Sequence, residues 1–200
     1  MMRRARMLPT LLVVLGVLGV PGAASADPPA AILQLPQLMT WMHSVHRATA
    51  TFKEQKFVQM LNQPLQSSGR LIYVAPDELQ KETLAPARSA LIVEGDHLTV
   101  QQPDGKVRQL SLSEFPELGA LVESMRATLA GDPATLERFY VPTLTGTAGN
   151  WSLQLAPRDP RLRKLLALIR IQGDGTTIRT VETVEDNGDR TVMTITPDLG

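Results

Sequence analysis

The stretch between residues 151 and 196 constrains the fold most, because it consists of extended segments separated by turns. Trp151, Leu153 and Leu155 alternate with polar residues, which is the period-two pattern of a strand with one buried face. Two further extended runs follow, and Asn-Gly at 187–188 tolerates the positive φ angles of a tight hairpin turn. These features predict a C-terminal antiparallel meander.

In the first half of the chain, one amphipathic helix is followed by extended segments that are also separated by turns. Apolar residues recur at helical spacing from Leu35 to Val45, and Pro36 suits a first helical turn. A strand rich in Thr and Phe follows from Arg47. Further short strands, separated by Pro and Gly turns, extend to Leu110. The spacing predicts one continuous antiparallel sheet.

The strand pattern stops between residues 111 and 140. Ser113 is a candidate helix cap, and apolar side chains then recur at i, i+3, i+4, i+7 and i+11 from Leu118 to Leu129. Gly131 is expected to end this helix, and Asp132-Pro133 to begin a short second one. The sequence therefore predicts a helical segment inserted into the sheet.

The order of these motifs resembles that of LolA-type periplasmic lipoprotein carriers, and in particular of divergent members of that family. W-x-L-x-L-x-P from Trp151 is followed by G-D-G at 173–175 and N-G-D at 187–189. In the first half, Gly69-x-Leu71 precedes Pro76, Pro86 and an acidic-Gly turn at Glu94. The resemblance covers nearly all of the chain after residue 26.

The resemblance implies an α+β fold: an incomplete, unclosed antiparallel β-barrel with an N-terminal helix and an inserted helical lid. It also implies a periplasmic carrier that binds the acyl chains of a lipoprotein or another lipidic cargo. An inner-membrane exporter would be the donor and the outer membrane the destination. One departure concerns Ala75-Pro76, where such carriers usually have an Arg before the Pro that hydrogen-bonds the lid.

The N-terminus is typical of a secretory signal. Arg3, Arg4 and Arg6 precede an apolar run, and Ala24-Ser25-Ala26 supplies a small-residue cleavage site. We expect cleavage after Ala26, giving a signal peptide at 1–26 and a single domain at 27–200; an uncleaved anchor is the alternative. Without Cys the chain has no site for a lipid anchor or a disulfide, so the expected product is free in the periplasm.

Residues 27–200 contain 17 basic and 20 acidic side chains, a net charge of −3 that argues against a nucleic-acid partner. We expect a monomer.

Any enclosed volume would be lined mainly by aliphatic side chains, since aromatic residues make up only 4%. The predicted lining of cavity and lid consists of Trp41, Leu71, Tyr73, Leu91, Val93, Leu98, Val100, Leu118, Leu121, Val122, Met125, Leu129, Trp151, Leu153, Leu155, Ile169 and Ile171. For Trp41, ordinary core packing is the favoured alternative.

A basic cluster stands out on this acidic chain. It is a candidate docking surface for an acidic exporter or anionic head groups, or simply a solvated turn. Its members are Arg158, Arg161, Arg163 and Lys164, with Arg170 nearby.

Catalytic and metal signatures are absent from the sequence. His43 and His46 lie one helical turn apart without an evident third ligand, and neither a G-x-S-x-G nor an S-x-x-K motif occurs. Gly105-Lys106 lacks the earlier Gly of a phosphate-binding loop. We therefore predict a binding protein without cofactor or metal rather than an enzyme. The alternative to a carrier is a periplasmic lipoprotein-sensing or interaction module of the same fold.

Overall fold

A computed structural model describes residues 31–198. The predicted signal peptide and its cleavage site lie outside these residues. The helices are α1 (Leu35–His43), α2 (Pro116–Leu129) and α3 (Pro133–Phe139), with single 3-10 turns at Leu112–Glu114 and Leu162–Lys164. The strands are β1 (Arg47–Phe57), β2 (Leu65–Val74), β3 (Glu78–Ala85), β4 (Ser89–Glu94), β5 (His97–Gln101), β6 (Val107–Ser111), β7 (Tyr140–Thr147), β8 (Asn150–Pro157), β9 (Leu166–Asp174), β10 (Thr177–Glu185) and β11 (Arg190–Pro197).

All eleven strands form one antiparallel sheet in the order β6-β5-β4-β3-β2-β1-β11-β10-β9-β8-β7. The first strand pairs with the last, and β6 and β7 lie at the two edges without pairing to each other. The sheet is therefore an unclosed barrel. The predicted α+β class, the single sheet, the N-terminal helix and the inserted helices are confirmed.

The helices pack on one side of the sheet, which we call the inner face. Most of the buried apolar side chains form a large core between α1, α3, one side of α2 and strands β7–β10. A second, small core lies between the other side of α2 and strands β4–β6; its buried members are Val93, Leu98, Leu112 and Val122. Because α2 contributes to both cores, it lies across the middle of the inner face.

Local chemistry explains the bounds of the inserted helices. Pro116 occupies the first turn of α2, and Gly131 follows its C-cap with a φ of 63°. Asp132 caps α3 by accepting a hydrogen bond from the Thr135 amide at 3.1 Å. The prediction that Ser113 caps the inserted helix was wrong. Ser113 lies in the preceding 3-10 turn, where its amide and hydroxyl donate hydrogen bonds to Asp96.

The structure adds a strand that the sequence pattern did not predict. β7 follows α3 directly and contains Pro142 and Gly146, both unfavourable in a strand interior. Its position at the sheet edge tolerates a residue without an amide hydrogen. On its inner side Tyr140 is buried, and its hydroxyl lies 2.8 Å from the Ser124 hydroxyl of α2.

Trp151 anchors the C-terminal meander. Its ring is buried at 1% exposure in the large core, and its indole nitrogen donates to the Gly175 carbonyl at 3.0 Å. The ring packs over Gly173, where a Cβ would approach ring atoms to 2.5 Å. Glycine is therefore required beside the tryptophan.

We expect Gly173→Ala to lower the free energy of unfolding by about 1–3 kcal/mol, because the new methyl group would lie 2.2 Å from the Thr177 carbonyl oxygen and 2.5 Å from the Trp151 ring. Gly149→Ala is the control, since a Cβ there meets nothing within 4 Å. Urea unfolding followed by Trp fluorescence measures both. Equal stability of the two variants would contradict this account of the packing.

Candidate functional site

The pairing register places all of the predicted sheet-lining residues on the inner face. In the N-terminal half, the row Leu71–Lys81–Leu91–Val100 and the row Tyr73–Leu79–Val93–Leu98 are defined by successive cross-strand pairs. In the C-terminal half, Leu153 pairs with Ile171 and Leu155 with Ile169, while Trp151 pairs with Gly173. The two halves join through β1 and β11, where Phe52 pairs with both Gly69 and Ile195.

The C-terminal half of the inner face is filled by helices. Trp151, Leu153 and Leu155 are each 1% exposed and belong to the large core, as do Ile169 and Ile171. Trp41 is half-buried and packs against the same core. In this structure these side chains hold the helices on the sheet. Their assignment as ligand-lining residues stays a prediction.

The N-terminal half is covered less completely. α2 buries Val93 and Leu98, but Leu91 remains 43% exposed, and Leu71 and Val100 are half-buried. Apolar side chains on the inner face of a sheet are therefore left partly open beside a helix. Such an exposed apolar surface marks a site where another apolar group can pack.

Met125 is an exposed apolar side chain on an otherwise half-buried side of α2. At 3.6 residues per turn, it lies about 160° around the helix from the exposed Glu123. It therefore lies on the side of α2 that carries the half-buried Leu121 and Leu129, yet its side chain is 45% exposed. We call the partly exposed apolar residues Leu121, Met125 and Leu129 of α2, together with Leu71, Leu91 and Val100 on the inner face of the sheet, the inner groove.

A polar group lies in the floor of the inner groove. Lys81 stands between Leu71 and Leu91 in the cross-strand row, and its Nζ is 2.7 Å from Glu54 Oε2. The Ser67 hydroxyl donates to the other oxygen of Glu54 at 3.0 Å. The ammonium also lies 5.0 Å from the centre of the buried Phe52 ring. Side-chain exposures of 28% for Lys81 and 16% for Glu54 make this a half-buried ion pair.

Tyr73 adds a second polar atom on the same face. It is 5% exposed, and its hydroxyl is the one buried side-chain polar atom within residues 31–198 that has no hydrogen-bond partner. Burial raises the pKa of Tyr73, so its hydroxyl keeps its proton. An unpaired buried hydroxyl costs free energy, which makes this atom a candidate for contact with a ligand. Sequence reasoning selected Tyr73 as an apolar lining residue and missed Lys81, Glu54 and Phe52.

Arg126 fastens α2 to the sheet. Its Nη2 donates to the carbonyl oxygen of Asp77 at 2.9 Å and to that of Gly95 at 2.7 Å, and its Nε donates to Asp77 at 3.2 Å. These carbonyls belong to the β2–β3 and β4–β5 turns. The β2–β3 turn also contains Ala75, the position at which this chain departs from the usual Arg of such carriers. Here the arginine that joins helix and turn comes from the helix.

The predicted basic cluster is partly neutralised. Arg161 forms hydrogen bonds of 2.5–3.1 Å with the Asp159 carboxylate, which hold the pKa of that carboxyl below its usual range. Lys164 pairs with Glu117 of α2 at 2.9 Å. Arg158 and Arg163 are exposed. Two of the four basic side chains are thus paired with carboxylates of the same chain, and a docking role for the cluster remains a prediction.

Two cavities lie away from the inner groove. One of about 530 Å³ is lined by Glu123, Arg126, Arg138 and Arg161 among others, near the start of α2. The other, about 380 Å³, is lined by the outer-face residues Thr51, Lys53 and Thr194 and also by Phe52 and Gly69 of the inner face. His43 Nδ1 lies 3.0 Å from the Ala130 carbonyl, so this histidine joins α1 to the end of α2.

Comparison with known proteins gives the family. The model of the family described as "Outer membrane lipoprotein carrier protein LolA-like" matches residues 26–196. The chain therefore belongs to the LolA-like family, as the order of its sequence motifs predicted. No curated protein matches the chain at a significant level. No helix within residues 31–198 is both long and apolar enough to cross a membrane.

Solved structures with similarity to the chain are distant. The LolA superfamily protein NE2245 from Nitrosomonas europaea is 11% identical with a TM-score of 0.44, over 84% of this chain and 96% of that one. In the MucA/MucB complex of Pseudomonas aeruginosa, the match is 12% identical with a TM-score of 0.43, over 83% of this chain and 58% of that one. A putative outer membrane lipoprotein-sorting protein domain from Vibrio parahaemolyticus is 10% identical with a TM-score of 0.41, over 83% and 92%.

We expect Arg126→Met to loosen α2. The variant loses hydrogen bonds from a charged donor, worth about 1.5–3 kcal/mol, and leaves two turn carbonyls to water. Hydrogen exchange read by mass spectrometry should show faster exchange in α2 and in both turns, with little change in β8–β10. Glu123→Gln on the exposed side of α2 is the control. Unchanged exchange in α2 of the Arg126 variant would contradict a fastening role.

Proposed function

We propose that this protein is a periplasmic carrier that binds the acyl chains of a lipoprotein or another lipidic cargo in the inner groove. It would receive its cargo at the inner membrane and deliver it to the outer membrane. The observation that carries the proposal is the partly exposed apolar surface of α2 and the inner face, where Met125 is 45% and Leu91 43% exposed. It occurs in a chain that belongs to the LolA-like family.

The energetics of acyl chains explain why such a surface is useful. Burying one methylene group is worth roughly 0.8 kcal/mol, so a long acyl chain gains around 10 kcal/mol by leaving water. A cargo with such chains does not cross an aqueous compartment unaided. A groove walled by Leu, Val and Met supplies an apolar environment, and the chain in turn shields side chains that are otherwise wet.

Transfer through this groove needs no chemistry. We propose that cargo moves downhill from a donor complex to an acceptor that binds it more tightly, and that the protein acts as a binding protein rather than an enzyme. The exposed Arg158 and Arg163 are the members of the basic cluster available to an acidic or anionic donor. The periplasmic location rests on the signal-like N-terminus.

Native mass spectrometry of the protein, isolated gently from the periplasm of its own host, tests the proposal. A co-purifying lipid or lipoprotein would support carrier function and would identify the cargo. Protein that is free of lipid but bound to another polypeptide would instead favour the lipoprotein-sensing or interaction module. Protein that takes up no lipid, lipoprotein or hydrophobic dye in a saturable manner would overturn the proposal.

We expect Met125→Asp to weaken binding of a hydrophobic dye at least tenfold, because a charge in the groove is costly to bury beside the ligand. The free energy of unfolding should change by less than about 1 kcal/mol, since the side chain is already 45% exposed. Dye titration and urea unfolding give the two quantities.

Two further variants serve as controls for Met125→Asp. Val107→Asp replaces an apolar side chain that is 59% exposed on the outer face, and it should leave dye binding unchanged. Leu121→Asp should lower both stability and binding, because Leu121 packs against the large core. If Met125→Asp behaves like Leu121→Asp, α2 is a plain core helix.

A further inference from the structure

The inner groove contains hydrogen-bond donors without partners, and we infer from them the chemistry of the ligand's polar end. Building on the proposed function, we propose that Tyr73 and Lys81 bind the uncharged carbonyl oxygens of an acyl ester or amide, and that the groove discriminates against a free carboxylate. The inference rests on three observations: the position of the two residues, their spare donors, and the charge balance of the Lys81–Glu54 pair.

Tyr73 and Lys81 lie close together on the inner face of the sheet. Tyr73 and Leu71 lie two residues apart on β2, and Lys81 pairs with Leu71 across β3. Tyr73 and Lys81 are therefore diagonal neighbours on the inner face, a spacing of about 7–8 Å between their Cα atoms. Leu71 and Leu91 flank Lys81 on either side in the row. The polar atoms thus lie within the apolar wall and not at a separate site.

Donors are in excess at this point of the groove. A lysine ammonium has three N–H donors, and Glu54 is the only acceptor that the described part of the chain provides for that of Lys81. The buried Tyr73 hydroxyl has no hydrogen-bond partner among residues 31–198. By contrast, each carboxylate oxygen of Glu54 already accepts a hydrogen bond, from Lys81 and from Ser67. A complementary ligand therefore supplies acceptors.

The charge balance restricts the kind of acceptor. Lys81 and Glu54 neutralise each other at 2.7 Å, so this pair offers no net positive charge to an anion. The other basic side chain in the same row is the exposed Arg108, which pairs with Val100 at the β6 edge, three strands from Lys81. A carboxylate or phosphate that approached the ammonium would also approach Glu54, and like charges in a half-buried site repel each other strongly. A carbonyl oxygen of an ester or amide accepts the same hydrogen bonds without this repulsion.

Displacement of a bound hydrophobic dye by three ligands with the same carbon chain tests the inference. The probes are monoolein, which has a neutral ester, oleate, which has a carboxylate, and octadecene, which has no polar end. We expect monoolein to bind several-fold more tightly than either of the others at pH 8. Oleate that binds as tightly as monoolein, or more tightly, would overturn the inference.

Variants link this preference to the two residues. Tyr73→Phe removes only the hydroxyl and with it one neutral hydrogen bond to the ligand. The affinity for monoolein should therefore fall about fivefold, and the free energy of unfolding should not decrease. The double variant Glu54→Gln with Lys81→Met removes the ion pair without leaving a lone buried charge, and it should reduce the preference over octadecene to what the Tyr73 hydroxyl alone supplies. Thr83→Val, on the same face of β3, is the control and should change nothing.

The outcomes separate this inference from the proposed function. If no probe displaces the dye from the unmodified protein, the groove does not bind acyl chains, and both proposals fall. If all three probes displace it equally and Tyr73→Phe has no effect, acyl binding stands and recognition of a carbonyl does not. A loss of monoolein binding in Tyr73→Phe with unchanged unfolding supports the inference, because a purely structural tyrosine would not separate the two.

Discussion

The pairing of β1 with β11 determines where the helices of this protein lie. The two strands are joined over eight residue pairs, from Ala50 with Pro197 to Phe57 with Arg190. The N-terminal and C-terminal strands therefore stand side by side, and β6 and β7 are at opposite edges of the sheet. The chain between these edges has to cross the whole sheet. Helices α2 and α3 lie in this crossing segment and pack on the inner face.

A crossing helix has to pack on two sides at once, and the sequence of α2 is adapted to this. Small buried residues, Ala120, Ser124 and Ala127, lie on the side of the large core, where α1 and α3 approach closely. Larger apolar residues, Leu118 and Val122, face the small core. The large core takes most of the apolar surface. The N-terminal half of the sheet is left with a thinner cover, and the inner groove lies there.

Local patterns were sufficient to predict most of the elements. The Asn-Gly turn at 187–188, the alternation from Trp151 and the helical period from Leu118 each depend on neighbours in the sequence, and the structure contains a hairpin, a strand and a helix at these places. Alternation also placed the predicted lining residues on one face, because side chains two residues apart in a strand share a face.

Features that depend on distant partners were not predictable in the same way. β7 carries Pro142, and only its place at the sheet edge makes this acceptable. Lys81 and Glu54 are 27 residues apart in sequence and meet because β1, β2 and β3 are adjacent. Arg126 binds main-chain carbonyls, which every residue possesses, so no sequence pattern could reveal its partners. Which face is buried by helices and which part stays open depends on the β1–β11 pairing.

Magnitudes indicate how α2 can serve both as part of the core and as a movable cover. Arg126 holds its end of the helix through hydrogen bonds from a charged donor, worth about 1.5–3 kcal/mol. Uncovering the four buried side chains of the small core adds about 6–12 kcal/mol, at roughly 1.5–3 kcal/mol for each fully buried residue. A single long acyl chain gains around 10 kcal/mol on burial, which is of the same size as these contacts together. On the proposed function, an acyl chain in the inner groove would gain enough to displace α2 from the small core, while the large core would keep the helix attached to the sheet.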